Sequence, residues 1–338
     1  MFESAEMKPV LCVNIFLGED DFGDRYFQIP DPAIQDNYVL KFKRWAEANL
    51  GVEVHTVDYF LAQPERVQKV IYFDYGWRYW LRDPFLRHIP REKRVLVIVE
   101  PTATNISLFA VPWFRNMFGT VLTWDERLLA RHREYRPINV PVGAEPSNYR
   151  ENRFPEQDFA ARRLLVAING KHSNRFSNNT YKFRERAFRA CAELLPDDFD
   201  LYGRGWDAST PCYRGMVPAS YAWDWDGKVA TLARYRFALC FENGFNQPGY
   251  VSEKAIDCFC ARTIPVYYGA SGVERYIPRE CFIDLRDIGG FPRLAEVLRS
   301  MTAATYARYI EAIEAFMHSE RIGFFSTEHF NRTIANAL

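Results

Sequence analysis

Apolar runs alternate with helix-period segments in both halves of the chain, and this alternation most restricts the possible folds. The runs VLCVNIF (10–16), VIYFDY (70–75) and RVLVIVE (94–100) are continuously apolar, which is typical of strands buried on both faces of a parallel sheet. The segment NYVLKFKRWAEANL (37–50), between the first two, has the spacing of an amphipathic helix. These patterns predict a parallel α/β sheet in the first half.

The second half repeats the pattern. It contains predicted strands at 163–169, 199–205, 236–243 and 263–269, and predicted helices at 181–195 and from about Ser252. The polar segment 141–158 has three prolines and no periodicity, which is typical of a linker. We therefore predict an N-terminal domain over 1–150 and a C-terminal domain over 151–338, both doubly wound α/β, facing each other across a cleft.

Charge and terminal patterns exclude several functional classes. The chain has 43 Lys plus Arg and 43 Asp plus Glu, so no overall field favours binding to nucleic acid or an anionic membrane. The N-terminus lacks the basic start of a signal peptide, and no transmembrane run of about 18 apolar residues occurs. We expect a cytoplasmic protein, with peripheral attachment to the inner membrane left open. The seven scattered cysteines are expected to be free thiols, and the dispersed histidines do not suggest a zinc site.

The segment from the strand at 236–243 to the following helix concentrates polar residues at a sheet edge. The strand RFALCFEN ends in Glu242 and Asn243, and the turn-forming GFNQPG then leads into YVSEK. Ligands of open α/β sheets bind at this edge. Lys254 lies in the first turn of the helix, where the dipole disfavours a cation. It therefore points either to a bound anion such as a pyrophosphate or to a plain ion pair with Glu253.

The segment YRFALCFENGFNQPGYVSEKAIDCFCARTIPVYYGA resembles the donor-binding signature of the α1,3/4-fucosyltransferases, glycosyltransferase family 10, and is most similar to the soluble bacterial members. The resemblance implies a GT-B fold of two Rossmann-like domains, with GDP-fucose bound mainly by the C-terminal one. It implies that Lys254 meets the donor pyrophosphate and that Glu253, Asn243 and Tyr250 hold the nucleotide and fucose. Glu242 is placed in the same donor-binding set.

Two further candidates depend on the same resemblance. The family has an arginine at the start of the helix predicted at 181–195, where Arg184 matches by its spacing to Phe188 and Arg186 is the competitor. Glu100 ends a buried strand directly before Pro101, which keeps it out of helical geometry. Taken alone, Glu100 could be a plain loop acid. In the bacterial members, however, a similar Lys-Arg-Val strand ends in the glutamate that acts as catalytic base.

The resemblance implies an inverting transfer of L-fucose from GDP-fucose to a hydroxyl of an N-acetylglucosamine-containing glycan, such as a lipopolysaccharide side chain. Glu100 would be the base, and Lys254 and Arg184 would neutralise the diphosphate. No cofactor or obligatory metal is expected, although WDWDG (223–227) resembles an Asp-x-Asp metal motif. Two alternatives stay open: a GT-B transferase that uses another nucleotide sugar, and a non-catalytic module that binds sugar nucleotides or glycans.

Overall fold

The structure is a computed structural model that describes residues 8–15, 17–31, 37–101, 112–141, 158–171, 180–217 and 225–338. The chain divides into two compact units: unit 1 is Met1–Asn139 with Thr327–Leu338, and unit 2 is Val140–Ser326. The C-terminal segment thus packs with the N-terminal unit, a grouping that no sequence pattern indicated. Most of the predicted linker at 141–158 lies outside the described residues.

The sheet of unit 1 has six parallel strands among the described residues, in the order β2-β1-β3-β4-β5-β6. The strands are β1 Val10–Asn14, β2 Glu53–Thr56, β3 Val67–Phe73, β4 Arg94–Ile98, β5 Thr120–Thr123 and β6 Arg136–Pro137. The chain winds outward in one direction from β1 to β2 and in the other from β3 onward. The point between β1 and β3 is therefore the topological switch point of this sheet.

Short helices cover this sheet, and α1 shows why they form where they do. The helices are α1 Tyr38–Asn49, α2 Tyr59–Ala62, α3 Trp77–Trp80, α4 Pro112–Arg115 and α5 Glu126–Arg131. Asn37 caps α1, since its Oδ1 accepts hydrogen bonds from the backbone amides of Val39 and Leu40 at 3.0 and 2.9 Å. The apolar stripe of α1, which includes Phe42, is buried.

Unit 2 contains a five-stranded parallel sheet in the order β11-β10-β9-β7-β8. The strands are β7 Arg163–Ile168, β8 Phe199–Tyr202, β9 Tyr235–Phe241, β10 Ile264–Tyr268 and β11 Ile283–Asp284. Counted from its own first strand, this sheet has the order 2-1-3-4-5, which is also the order of the first five strands of unit 1. Its switch point lies between β7 and β9.

Helices bury apolar side chains on both faces of the second sheet. They are α6 Tyr181–Leu194, α7 Trp225–Leu232, α8 Glu253–Cys260, α9 Phe291–Ser300 and α10 Ala303–His318. One core cluster contains residues of α7, α8 and α10, and a second contains residues of α6 and α9. The last helix, α11 Thr327–Ala335, belongs to unit 1, where Phe330 contacts the Tyr38 ring at 6.0 Å between centroids.

The predicted fold class, α/β with two parallel sheets, is confirmed. All seven cysteines are free thiols, and all but Cys212 are buried. Among the described residues, none of the helices combines the length and the apolar character needed to span a bilayer.

Gly203 fixes the close approach of the loops that follow β7 and β8. Its φ is +140°, and a Cβ there would lie 2.1 Å from the carbonyl oxygen of Asn169. Gly215 is a matched position in the same loop region, because its carbonyl oxygen accepts a hydrogen bond from the Gly203 amide at 3.1 Å. Its φ is +92°, and a Cβ there would meet nothing within 4 Å. The two glycines share the backbone constraint but differ in the space available.

We predict that Gly203→Ala lowers the stability of unit 2 by about 3 kcal/mol or more, because it adds a backbone clash to an unfavourable φ. Gly215→Ala should cost only about 1–2 kcal/mol, since it meets the φ constraint alone. Differential scanning calorimetry of both variants measures the difference. Equal shifts in Tm would show that the loop after β7 moves aside without cost.

Candidate active site

A buried carboxylate joins the end of β9 to the start of α8. Glu242 follows directly after β9 and is 0% exposed. Its Oε1 accepts a hydrogen bond from the backbone amide of Ser252 at 2.8 Å, and its Oε2 accepts one from the Ser252 hydroxyl at 2.5 Å. Ser252 is the N-cap residue of α8. The strand end therefore fixes the position of the helix N-terminus.

Lys254 lies in the first turn of α8 among oxygen atoms. Its Nζ donates to the Ser252 hydroxyl at 3.0 Å and lies 3.3 Å from Glu253 Oε1 and 3.6 Å from Glu242 Oε2. Burial disfavours the charged amine, but the carboxylates of Glu253 and Glu242 outweigh it and raise the pKa of Lys254. The ion pair with Glu253 that the sequence allowed is present, and a second, buried carboxylate lies beside it.

Arg184, rather than Arg186, joins this cluster. Arg184 lies on α6 and is 4% exposed, and its guanidinium donates to the Phe241 carbonyl at 2.6 Å and to Asn243 Oδ1 at 2.8 Å. Its Nε is buried and has no hydrogen-bond partner among the described residues. Arg186 is exposed, with its guanidinium 6.0 Å from the Phe183 ring centroid. Burial lowers the pKa of Arg184, an effect that nearby groups including Glu242 oppose.

The N-terminus of α6 is tied to the same strand end. The hydroxyl of Thr180, the residue before α6, donates to the Glu242 carbonyl, and the Thr180 amide donates to the Asn243 carbonyl at 3.2 Å. Tyr250 is buried in the loop between β9 and α8, and its amide donates to the Gln247 carbonyl at 3.1 Å. Glu242, Asn243, Glu253, Lys254 and Arg184 therefore lie together around the switch point of unit 2, with Tyr250 in the adjoining loop.

Lys228 is a second cation of this region that the sequence did not indicate. It lies on α7 and forms an ion pair with Asp257, which is 1% exposed, and its Nζ is 3.9 Å from Glu253 Oε1. Desolvation raises the pKa of Glu253, but Lys254 and Lys228 outweigh it, so the net pKa is below the ordinary value. Two sequence features could have indicated this cation. Lys228 directly follows WDWDG, and Glu253 and Asp257 are spaced to lie on one face of a helix, where they can share a cation. Asp224 itself lies outside the described residues.

Glu100 lies in unit 1, just after β4, where a neighbouring acid holds its backbone. Asp74 follows directly after β3, and its Oδ1 accepts hydrogen bonds from the amides of Val99 and Glu100, both at 2.8 Å. The Tyr38 hydroxyl donates to Asp74 Oδ2 at 3.0 Å. Sequence reasoning missed Asp74, although an acid at the end of the apolar run VIYFDY was visible.

Asp74 and Glu100 form a pair of carboxyl groups at one sheet edge. Asp74 is 2% exposed, and its φ of +48° is uncommon for a residue other than glycine. Burial, together with the negative charge of Glu100, raises the pKa of Asp74 to about 7. The three hydrogen bonds that Asp74 accepts oppose this rise. The pair can therefore hold a proton near neutral pH, which suits general acid–base chemistry.

No group of three His, Cys, Asp or Glu side chains in the described ranges could hold a metal ion. The charged groups available at the candidate site of unit 2 are lysine, arginine and carboxylate side chains and the helix N-terminus. That set can bind an anion through cations and backbone amides.

Comparison with solved structures defines the class of fold. An α1,3-fucosyltransferase solved with GDP-fucose aligns with a TM-score of 0.54 at 16% identity, over 100% of this chain and 92% of that one. Anabaena HepE, solved with UDP and glucose, aligns with a TM-score of 0.55 at 12% identity, over 98% and 99% of the two chains. The two parallel sheets and these likenesses define a protein with the GT-B glycosyltransferase fold.

A family model matches part of the chain. The model "Glycosyltransferase family 10 (fucosyltransferase) C-term" matches residues 177–330. These residues contain the whole β9–α8 cluster together with Arg184, and over them the chain is similar to the C-terminal part of family 10. The resemblance drawn from the β9–α8 signature is thereby confirmed.

Curated relatives match over shorter stretches. The α-(1,3)-fucosyltransferase FucT of Helicobacter pylori is 32% identical over 85 residues, which are 25% of this chain and 18% of that protein. Human α-(1,3)-fucosyltransferase 7 is 31% identical over 133 residues, which are 38% of this chain and 35% of that protein. The matches therefore span well under half the length of either relative.

The raised pKa of Asp74 predicts a pH-dependent stability. The folded protein binds a proton at Asp74 more tightly than the unfolded chain does. Asp74 therefore stabilises the fold below the ordinary aspartate pKa, and this contribution is lost as pH rises through about 7. Asp74→Asn should remove this loss, because an amide oxygen can accept the same two backbone hydrogen bonds. Between about pH 5 and 8, the free energy of unfolding of the wild type should fall relative to that of the variant, by at most about 1.4 kcal/mol per pH unit, and Tm should fall with it.

Calorimetric Tm values across this pH range check the prediction. Asp20→Asn, at an exposed acid of unit 1, is the control and should follow the wild-type curve. Parallel curves for wild type and Asp74→Asn would mean that Asp74 is ionised throughout, stabilised by its three hydrogen bonds.

Proposed function

We propose that the protein is an inverting fucosyltransferase that moves L-fucose from GDP-fucose to a hydroxyl of an N-acetylglucosamine-containing glycan. The observation that carries the proposal is the convergence of Lys254, Arg184 and the α8 N-terminus at the switch point of unit 2. This cluster lies within the segment that matches family 10. The solved α1,3-fucosyltransferase with GDP-fucose supports the choice of donor.

The donor diphosphate would be neutralised by side chains and backbone. Lys254 supplies an ammonium group, Arg184 a guanidinium group, and the first turn of α8 its positive dipole end. Glu242 has no exposed surface and is bonded to Ser252, so its role is to position Ser252 and Lys254. Asn243 orients Arg184 through the 2.8 Å hydrogen bond, and Glu253 and Tyr250 are assigned to the ribose and fucose hydroxyls.

Glu100 is the proposed base. The acceptor hydroxyl oxygen attacks C1 of fucose as its proton passes to the Glu100 carboxylate, and the bond from C1 to the β-phosphate oxygen breaks. GDP departs with the bonding electron pair, which Lys254 and Arg184 help to stabilise. One displacement at β-linked GDP-fucose gives an α-fucoside. Asp74 fixes the Glu100 backbone, and burial together with the charge of Glu100 raises the pKa of Asp74 to about 7.

The acceptor class and cellular setting belong to the same proposal. We assign an α1,3 linkage to N-acetylglucosamine, with a lipopolysaccharide side chain as the natural acceptor, made on the cytoplasmic side. The names of the curated α-(1,3)-fucosyltransferases support the linkage.

Incubation with GDP-fucose, GDP-mannose and UDP-sugars tests the donor, with lactose, N-acetyllactosamine and its β1,3-galactosyl isomer as acceptors. We expect transfer from GDP-fucose alone and an α-linked product by NMR. Because protein cations neutralise the diphosphate, EDTA should leave the rate unchanged. Activity that is lost in EDTA and restored by Mn²⁺ would contradict the metal-free scheme, and transfer from a UDP-sugar would contradict the donor assignment.

Lys254 and Glu100 should differ in their kinetic roles. The diphosphate is anionic both before and during bond cleavage, so Lys254→Ala should weaken GDP binding and also lower kcat. The acceptor proton moves only during the chemistry. Glu100→Gln should therefore lower kcat for transfer by about 10² to 10⁴ while GDP affinity changes little.

Isothermal titration with GDP and initial-rate kinetics separate the two effects. The exposed residues Lys182 and Glu92 provide matched controls as Lys182→Ala and Glu92→Gln, which should leave both measurements unchanged. If Glu100→Gln keeps most of its transfer rate, or loses GDP affinity as severely as Lys254→Ala does, Glu100 is not the base.

A further inference from the structure

Unit 1 contains a cavity of about 330 Å³ that the residues proposed above do not use. It lies where β1 ends at Asn14 and where Tyr75 follows β3, which is the switch point of the sheet of unit 1. Open parallel sheets bind ligands at this place. The volume is at the lower end of the roughly 300–1,000 Å³ typical of small-molecule sites.

The cavity contains a fixed hydrogen-bonding group built around Asp83. The Asn14 amide nitrogen donates to Asp83 Oδ2 at 3.1 Å, and the Tyr75 hydroxyl donates to the same oxygen. The other oxygen, Oδ1, accepts from the amides of Phe85 and Leu86 at 2.7 and 3.2 Å. A carboxylate only accepts, so Asn14 must turn its amide nitrogen toward Asp83.

Asn14 retains hydrogen-bonding capacity toward the cavity. Asn14 is 4% exposed, and its amide nitrogen donates to Asp83, so the side-chain carbonyl oxygen is the atom that Asn14 can offer to a ligand as an acceptor. Burial and the charge of Asp83 raise the pKa of the Tyr75 phenol, which therefore stays protonated as a donor. The polar part of the cavity is thus preorganised rather than adaptable.

Aromatic and aliphatic side chains form the rest of the cavity. Phe22 and Phe85 meet edge to face with centroids 5.1 Å apart, and Leu17 and Tyr79 line the same space. Tyr79 is 43% exposed. An apolar wall with a few fixed polar groups suits a ligand that has one apolar face and a rim of hydroxyls. A pyranose ring has this character.

The charges of the cavity disfavour a nucleotide diphosphate. Asp83 is the acid at the polar end, Glu19 is a second acid, and Arg82 is the cation among the described lining residues. A diphosphate would meet two carboxylates and one exposed arginine, in contrast to the cations around α8. The balance favours a neutral ligand.

The cavity is also close in the sheet to Glu100. Tyr75 directly follows Asp74, and Asp74 binds the Glu100 amide across from β3 to the end of β4. Neighbouring strands are about 4.8 Å apart. A sugar ring bound at the ends of β1 and β3 would therefore lie next to the end of β4, which Glu100 follows.

We propose that this cavity binds one neutral sugar ring of the acceptor glycan, through Asn14 and the aromatic wall. The inference rests on the proposed function for the identity of the glycan. The sugar-binding property of the cavity can be tested separately from catalysis.

The experiment fills the cavity and measures binding of free sugars. Leu17→Trp places a large ring in the cavity, and Leu61→Trp makes the same change at an exposed position of α2 that does not line it. Saturation-transfer NMR titrations use methyl β-N-acetylglucosaminide, methyl β-galactoside and N-acetyllactosamine, without donor. We expect the wild type and Leu61→Trp to bind at least one of them with equal Kd. Leu17→Trp should raise that Kd at least about tenfold.

Tyr79→Ala provides a second variant at an exposed position, with an expected rise in Kd of about three- to tenfold. GDP titrations should be unchanged in all three variants. Sugar binding that is retained in both Leu17→Trp and Tyr79→Ala, or absent from the wild type, overturns the proposal. So does loss of GDP binding in Leu17→Trp. If sugar binding follows the expected pattern but no fucose is transferred, the cavity assignment stands and the proposed function fails.

Discussion

The candidate site of unit 2 depends on the burial of a single carboxylate. Removing the Glu242 side chain from water costs several kcal/mol, and this cost is offset only if its oxygens accept hydrogen bonds and face an opposite charge. Ser252 supplies two hydrogen bonds, and Lys254 supplies a positive charge at 3.6 Å. The end of β9, the N-cap of α8 and the lysine are consequently held as one piece. Replacing Ser252 or Lys254 would leave the buried Glu242 carboxylate without one of its partners, and replacing Glu242 would leave Lys254 without its buried counter-charge.

The contacts of the two cations differ in a way that bears on chemistry. Arg184 forms short hydrogen bonds of 2.6 and 2.8 Å to a carbonyl and an amide oxygen, so its position is fixed. The contacts of Lys254 are longer, at 3.0 to 3.6 Å, and they are shared among three oxygens. A flexible lysine side chain whose contacts are long and spread over three oxygens can turn toward an incoming anion with a small loss of interaction energy. Arg184 is therefore the preorganised group, and Lys254 is the group able to follow charge as it develops.

The sequence predicted much of this arrangement, and its failures have physical causes. Long apolar runs gave β1, β3, β4, β7, β9 and β10, because parallel strands buried on both faces are continuously apolar. The strand β8 was also predicted, within 199–205. The strands β2, β5, β6 and β11 were missed because they have two to four residues and no such run. Lys254 was found because a cation opposes the helix dipole locally. Asp74 and Lys228 were missed because their partners, Glu100 and Asp257, lie far along the chain, and only folding brings them together.

The two sheets share one winding order, and the polar groups of each unit gather at its own switch point. Under the proposed function, this arrangement assigns acceptor recognition and donor recognition to different sheets. Substitutions around β1 and β3 could change which glycan is recognised without disturbing the ion pairs at α8. Substitutions at α8 would instead alter the charges that are proposed to face the diphosphate. The two sets of residues can then be changed independently, because the cavity lining and the α8 cluster have no side chain in common.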